Sequence, residues 1–357
     1  MKITCLILVF FSLSLPQLYA QEINVSYDYS SVEKLIEILD GGELNEKDFK
    51  ELVELHGTKA YLRKLSTFFP GINELSFKKS LEAVLKGVQL DKDPFMFNRI
   101  LPLIPDARKL LAEVIEKEKE LTQSSVSLLK EYSPENIKLN STVYLVLGVV
   151  GGGWTFDDNP NSFYVDFASM KGDYNGLSYL STHELFHLVQ YRFMKDFPEE
   201  DADKVKYLLD QMIREGSATY VADFSKVSSS GSYIDFSKKE YERNFRRMET
   251  NFALFEAIIF QAKNDSSVNM NLLYNIGLSG MYQSPLYYVG YHMIKLIEKY
   301  NGRTELIALL SKSPEKLILT YVQLCDMHAG EDEEFIVLSE TAVKILKSIP
   351  SIGGNKK

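Results

Sequence analysis

The chain has 357 residues, 45% of them hydrophobic and 25% charged, with a formal net charge of −9, five histidines and two cysteines. A chain of this length can build a core without disulfide staples. Its acidic balance, with no basic stripe and no zinc knuckle, excludes a nucleic-acid partner.

Residues 1–20 carry Lys2, an apolar run over 3–15, Pro16 and then Leu18-Tyr19-Ala20. This is the pattern of a secretory signal peptide cut between Ala20 and Gln21, which predicts a secreted or periplasmic protein. The run is shorter than the roughly 20 residues that span a bilayer, and no later segment is long and apolar enough, so no membrane span is expected in the mature chain. Cys5 lies too early for a lipoprotein attachment site, and cleavage leaves Cys325 as the only cysteine, so no internal disulfide forms. Loss of Lys2 takes the charge to −10. Nothing in the sequence sets an oligomeric state.

From 31 to about 132 the pattern is helical: Val32, Leu35, Ile36 and Leu39 share a face, Gly41-Gly42 breaks it, and Phe49, Leu52, Val53 and His56 follow. Further helices are expected over 77–88 and 106–117. His56, next to Gly57, reads as an ordinary helix-end histidine and not as a ligand. Pro134-Glu135-Asn136 marks a change of pattern. The expected organisation is an N-terminal helical region over 21–138 and a catalytic domain over 139–357.

Residues 142–150 are β-branched and apolar, as in a buried strand, and 162–168 alternate over a shorter run. A strand just before the helix that follows is either a core strand or an edge on which an extended peptide could pair. Gly151-Gly152-Gly153 and Asp157-Asp158-Asn159-Pro160-Asn161 lie between them as turn-forming sequence. The glycines lack the Lys-Ser/Thr ending of a phosphate loop. The paired aspartates read as a solvated turn in preference to a cation site.

The segment Ser181-Thr182-His183-Glu184-Leu185-Phe186-His187 holds an H-E-x-x-H motif inside a helical apolar pattern. Four residues of helix turn through roughly 400° and rise about 6 Å, so both imidazoles leave one face a turn apart, where two nitrogens can bind one Zn²⁺. Glu184 then lies beside the metal, placed to take a proton from water attacking a carbonyl. Ser181-x-x-Glu184 also matches a capping box, but Leu177, Tyr179 and Leu180 start the helix earlier, near Asn175.

A third ligand is expected, because catalytic zinc takes three protein ligands and keeps one position open. Over 202–223, Val205, Leu208, Leu209, Met212, Ile213, Tyr220 and Val221 fall at helical intervals, with Glu215 at the edge of the stripe and Gly216-Ser217-Ala218 interrupting it. A glycine inside a helix costs about 1 kcal/mol against alanine, so Gly216 asks for close contact with another helix. Docking on the histidine helix would supply that contact and bring Glu215 to the metal. Downstream, 236–263 and 286–300 read as helices, the second ended by Asn301-Gly302.

His183-Glu184-x-x-His187 followed, after 27 intervening residues, by Glu215-Gly216-x-Ala218 on a second helix resembles the gluzincin class of zinc metallopeptidases. It is more closely similar to secreted bacterial zinc-dependent peptidases classed as domains of unknown function. The resemblance runs from about 142 to 321 and takes in the strand at 142–148, the glycine run and Tyr287-Tyr288-Val289-Gly290-Tyr291. It implies a mainly α fold with a small β-sheet (α+β), a zincin-like catalytic domain, and one zinc on His183, His187 and Glu215. Glu184 would be the general base and Tyr288, close before Gly290, the oxyanion donor, with Tyr287, Tyr291 and His292 as alternatives. The implied substrate is a peptide or protein. The interval before Glu215 is longer than in the best-known gluzincins and no asparagine precedes it, so aminopeptidase specificity is not implied. Two other readings are a catalytically silent envelope protein, with a structural zinc or a partner-binding helical region, and a zinc hydrolase of a non-peptide amide.

Overall fold

The computed structural model describes residues 21–148, 151–156, 158–194 and 203–349. The signal-peptide reading of 1–20, Asp157, the end of the strand at 149–150 and the first residue of the helix at 202 lie outside these residues. Strand β1 (Glu22–Asp28) leads into six helices: α1 (Ser30–Gly41), α2 (Glu46–Glu54), α3 (His56–Ser66), α4 (Glu74–Leu85), α5 (Phe97–Ile100) and α6 (Ile104–Glu131). Local chemistry sets several of their ends. The Asn45 side chain accepts from Asp48 N to start α2, Asn73 and Ser76 form a reciprocal capping box on α4, and α1 stops at Gly42 with φ 69°. The predicted helix at 106–117 continues past a kink at Lys117 to Glu131.

Strand β2 (Lys138–Val146) follows, then β3 (Gly153–Trp154) and β4 (Ser162–Asp166). The sheet order is β1-β2-β4-β3, with β1, β2 and β4 parallel and β3 antiparallel to β4. In β2, Leu139, Val143 and Leu145 are buried while Lys138 and Asn140 are exposed, the period-two pattern of a strand with one face on the core. That face carries Tyr27, whose phenol meets Ser125 of α6 and Ser181 of the helix that follows β4. The opposite face stacks Tyr144, Tyr164 and Trp154 across three strands, and His56 covers them, its ring 4.3 Å from that of Tyr144 and its Nε2 2.7 Å from the Tyr164 hydroxyl. His56 is thus the first residue of α3 and part of the sheet packing. β2 and β4 lie inside the sheet, so both are core strands; β1 and β3 are its edges, and the glycine run leads into β3. Asp158 pairs with Arg63 at 2.8 Å on the surface.

The rest of the described chain is helical: α7 (Tyr174–Phe193), α8 (Lys204–Val221), α9 (Ser232–Arg246), α10 (Met248–Asn264), α11 (Met270–Gly277), α12 (Pro285–Asn301), α13 (Arg303–Leu310), α14 (Pro314–His328) and α15 (Glu340–Ser348). The protein is mainly α with a small mixed sheet, as expected, and one apolar core runs through it from Ile23 to Ile349. The helix predicted over 236–263 is two helices. Arg247, with φ −117° and ψ 26°, separates them, held by bonds from its guanidinium to Asn244 Oδ1 and Tyr282 O. No helix among the described residues is long and apolar enough to cross a membrane.

Gly216 does meet another helix, but that helix is α12 and not the histidine helix. A Cβ on Gly216 would lie 2.6 Å from the Gly290 backbone, and one on Gly290 would lie 2.4 Å from Met212 O. Backbone on both sides leaves nothing flexible to yield. Gly216→Ala and Gly290→Ala are each expected to cost about 1–3 kcal/mol, a fall in Tm of several degrees in a thermal melt. Wild-type stability in both would show that the two helices do not cross here.

Candidate metal centre

Helix α7 starts at Tyr174, seven residues before Ser181, because Asp173 Oδ1 accepts from Gly176 N at 2.8 Å. The Ser181-x-x-Glu184 capping box is therefore not a helix start. The other oxygen of Asp173 accepts from Tyr233 N at 2.9 Å and Ile234 N at 2.8 Å, so one buried carboxylate caps α7 and α9 together. This fixes the wall formed by α9 against the histidine helix.

His183 and His187 sit one turn apart on α7, and α8 brings Glu215 to them. Their Nε2 atoms are 3.2 Å apart, and Glu215 Oε2 is 3.4 Å from the first and 3.3 Å from the second. An ion holding four ligands tetrahedrally at about 2.1 Å separates those ligand atoms by about 3.4 Å. The three donors therefore already stand along the edges of one face of such a tetrahedron. Among the described residues this is the only cluster of three or more His, Cys, Asp or Glu side chains with convergent donor atoms. Two imidazoles and one carboxylate suit zinc, with the fourth corner left open.

Electrostatics favours a cation at the same point. Burial works against ionisation of Glu215, but the His187 and His183 rings overcome it and hold the carboxyl well below the usual range. Burial likewise opposes charge on His187, yet the Glu215 carboxylate, with help from Glu184 and Gln190, lifts it to about 9. The cluster draws positive charge, whether a proton or a metal ion supplies it.

Gln190, absent from the sequence reading, settles the imidazole tautomer. Its amide nitrogen lies 2.9 Å from Arg214 O and 2.8 Å from Ser217 Oγ, and a carbonyl can only accept. The amide oxygen must then face His187 Nδ1 at 2.8 Å, which puts a proton on Nδ1 and leaves Nε2, facing Glu215 and His183, as the nitrogen that takes a second proton or an ion. Arg214, next to Glu215 in the sequence, donates from Nε to Asp210 Oδ2 at 2.6 Å, where both side chains are buried.

The triad opens onto a cavity of about 390 Å³, and Glu184, His187 and Glu215 line both it and a smaller space of about 130 Å³. A larger hollow of about 590 Å³ near Phe260 and Ser339 holds none of these residues. Of the four candidate donors on α12, Tyr287 and Tyr288 line the main cavity. Burial, and then the charge of Glu215, raises the Tyr287 phenol well above the ordinary value. Tyr288 instead donates to Glu240 Oε1 at 3.4 Å. Tyr291 donates to Asp223 Oδ2 at 3.2 Å and His292 Nε2 is 2.8 Å from Glu334 O, which takes both away from the triad. The sequence reading missed Tyr179, Tyr233 and Glu240, and it read Gly151 to Gly153 only as a turn; all line the cavity. Tyr179 was within reach, since it lies one turn before His183 on the same face.

Fold and site together define a helical protein with a small sheet and a His-His-Glu centre of the kind that holds catalytic zinc. The family model described as "Putative zinc dependent peptidase (DUF5700)" matches residues 49–330, and the chain belongs to this family. Comparison with curated proteins and with solved structures gave no match.

The role of Gln190 has a measurable consequence. Gln190→Leu removes the acceptor for His187 Nδ1–H and is expected to weaken zinc binding about 10- to 100-fold in competition with a chelator. Unchanged affinity in a folded variant would mean that this amide does not orient the ring.

Proposed function

We propose that the protein is an exported, gluzincin-type zinc peptidase in which His183, His187 and Glu215 hold one ion and Glu184 is the general base. The observation that carries this reading is the triangle of donor atoms, with sides of 3.2 to 3.4 Å, opening beside Glu184 onto a cavity. Family membership supports zinc and a peptide substrate. Export rests on the signal-like residues 1–20. In this reading residues 139–357 form the catalytic part, and 21–138 lend it β1 and the helices that back the sheet.

When bound, the ion polarises the scissile carbonyl and acidifies water. Glu184 takes the proton that water gives up as it attacks the carbonyl carbon, and returns it to the nitrogen as the C–N bond breaks. Tyr287, against Glu215, is better placed than Tyr288 to donate to the developing oxyanion, because the Tyr288 hydroxyl is engaged by Glu240. The glycine run lines the cavity beside β3, whose outer edge pairs with no described strand, and an extended substrate backbone can bond along it.

Two measurements test the reading. Purified protein is expected to carry one zinc per chain by elemental analysis, to lose it on His183→Ala, His187→Ala or Glu215→Ala, and to release it as acid protonates the imidazoles. Full retention in any of the three would remove that residue from the ligand set. Glu184→Gln is expected to keep zinc and fold normally but lose a factor of about 10² to 10⁴ in turnover of a cleaved peptide. Equal rates would exclude Glu184 as the base.

A further inference from the structure

The cavity beside the triad is unusual in its charge. Among the described residues its lining includes three carboxylates, Glu184, Glu215 and Glu240, and no lysine or arginine. A divalent ion in the triad would offset the first two. Glu240 would remain as surplus negative charge. It stands on α9 and makes no ion pair with a described residue; its side-chain partner is the Tyr288 hydroxyl at 3.4 Å. Burial raises its pKa, with Tyr288, Arg243 and Arg247 only partly opposing the shift. A half-buried carboxylate with a neutral partner keeps much of its desolvation penalty, and an incoming positive charge would relieve it.

The walls around Glu240 suit the same kind of group. Tyr233 lies one turn before Phe236 and two turns before Glu240 on α9, and all three line the cavity. The Tyr233 phenol is raised by burial and then by the charges of both Glu184 and Glu240, so both carboxylates act on this ring. Phe236 is 63% exposed at the cavity, a large ring with one side free. Aromatic faces attract cations by about 0.5–2 kcal/mol, more as water is excluded. An anionic group placed here would face the Glu240 carboxylate.

We propose that Glu240, with Tyr233 and Phe236, forms a subsite for a positively charged group of the substrate, either a lysine or arginine side chain or a peptide's terminal ammonium. The proposal rests on the peptidase reading above and adds the substrate class to it. Glu240 binds the cation and orients the peptide across the triad; it takes no part in proton transfer.

The test uses the zinc-loaded full-length protein and a proteome-derived peptide library in three forms: untreated, acetylated at peptide N-termini, and acetylated at lysines. Mass spectrometry reads the cleaved bonds. Cleavage is expected to cluster at a fixed distance from a cationic group. Loss of that pattern on N-terminal acetylation identifies the terminal ammonium as its source, and loss of the lysine-containing sites on lysine acetylation, or persistence at arginine, identifies a side chain. For a cleaved cationic peptide and its neutral isostere, Glu240→Gln is expected to lower kcat/KM for the first about 10- to 100-fold, the size of a hydrogen bond to a charged group, and to leave the second unchanged. The same ratio should appear as binding in the Glu184→Gln background by fluorescence anisotropy, without turnover. A merely structural role for Glu240 would lower both peptides together and would overturn the subsite, as would cleavage with no charge preference. If the zinc-loaded protein cleaves no peptide in any library, the peptidase reading fails first and takes the subsite with it.

Discussion

Three lone pairs pointed at one spot repel one another unless positive charge sits among them, and the surroundings of His183, His187 and Glu215 hold them in that arrangement at 3.2 to 3.4 Å. The helical turn of α7 supplies only two of the three donors. The third comes from α8, so the angle and depth at which α8 packs decide whether a site exists. Gly216 and Gly290 let α8 and α12 approach until backbone meets backbone, and Glu215 is the residue immediately before that contact. The small side chains that weaken α8 as an isolated helix are those that allow it to sit this deep.

The bonds around the triad run in one direction. Gln190 is fully buried, and its amide nitrogen is committed to the carbonyl of Arg214 and the hydroxyl of Ser217, both on α8. Its oxygen is left for His187. The amide thus ties α7 to α8 and selects the imidazole tautomer at once, so helix packing and ligand chemistry depend on the same group. Asp173 plays the corresponding part at the other end of α7, where one carboxylate caps two helices and sets α9 as a wall of the cavity.

That wall gives the cavity its character. Carboxylates and phenols line it, and the phenols of Tyr179 and Tyr287 are raised far above their ordinary value by burial and neighbouring negative charge, so they stay protonated and act as donors. Among the described residues the pocket offers hydroxyl donors and no lysine or arginine, the distribution on which the proposed oxyanion and cation roles rest. The distribution follows from the elements: the acids come from α7, α8 and α9, while the hydroxyl donors come mainly from α7, α9 and α12.

The sequence alone determined what helical geometry determines. The i, i+4 spacing of His183 and His187 puts two imidazoles on one face in any helix, and Glu184 must then sit beside them. The long apolar periodicities likewise made α7, α8 and α12 legible, since each repeats its signal over several turns. What depends on meeting a distant partner was not legible in the same way. β1 was missed because it pairs with β2, whose Asn140 bonds Asn24 across 116 residues, and seven residues carry too short a pattern to announce a strand. The break at Arg247 is held by the carbonyl of Tyr282, so the sequence around it still reads as one helix. Glu215 could be named as a candidate, but Gly216 signalled a close neighbour without identifying it, and only the packing assigned that contact to α12. The choice between Tyr287 and Tyr288 was likewise a matter of tertiary structure: adjacent residues on a helix point about 100° apart, and the positions of α8 and α9 decide which phenol meets Glu215 and which meets Glu240.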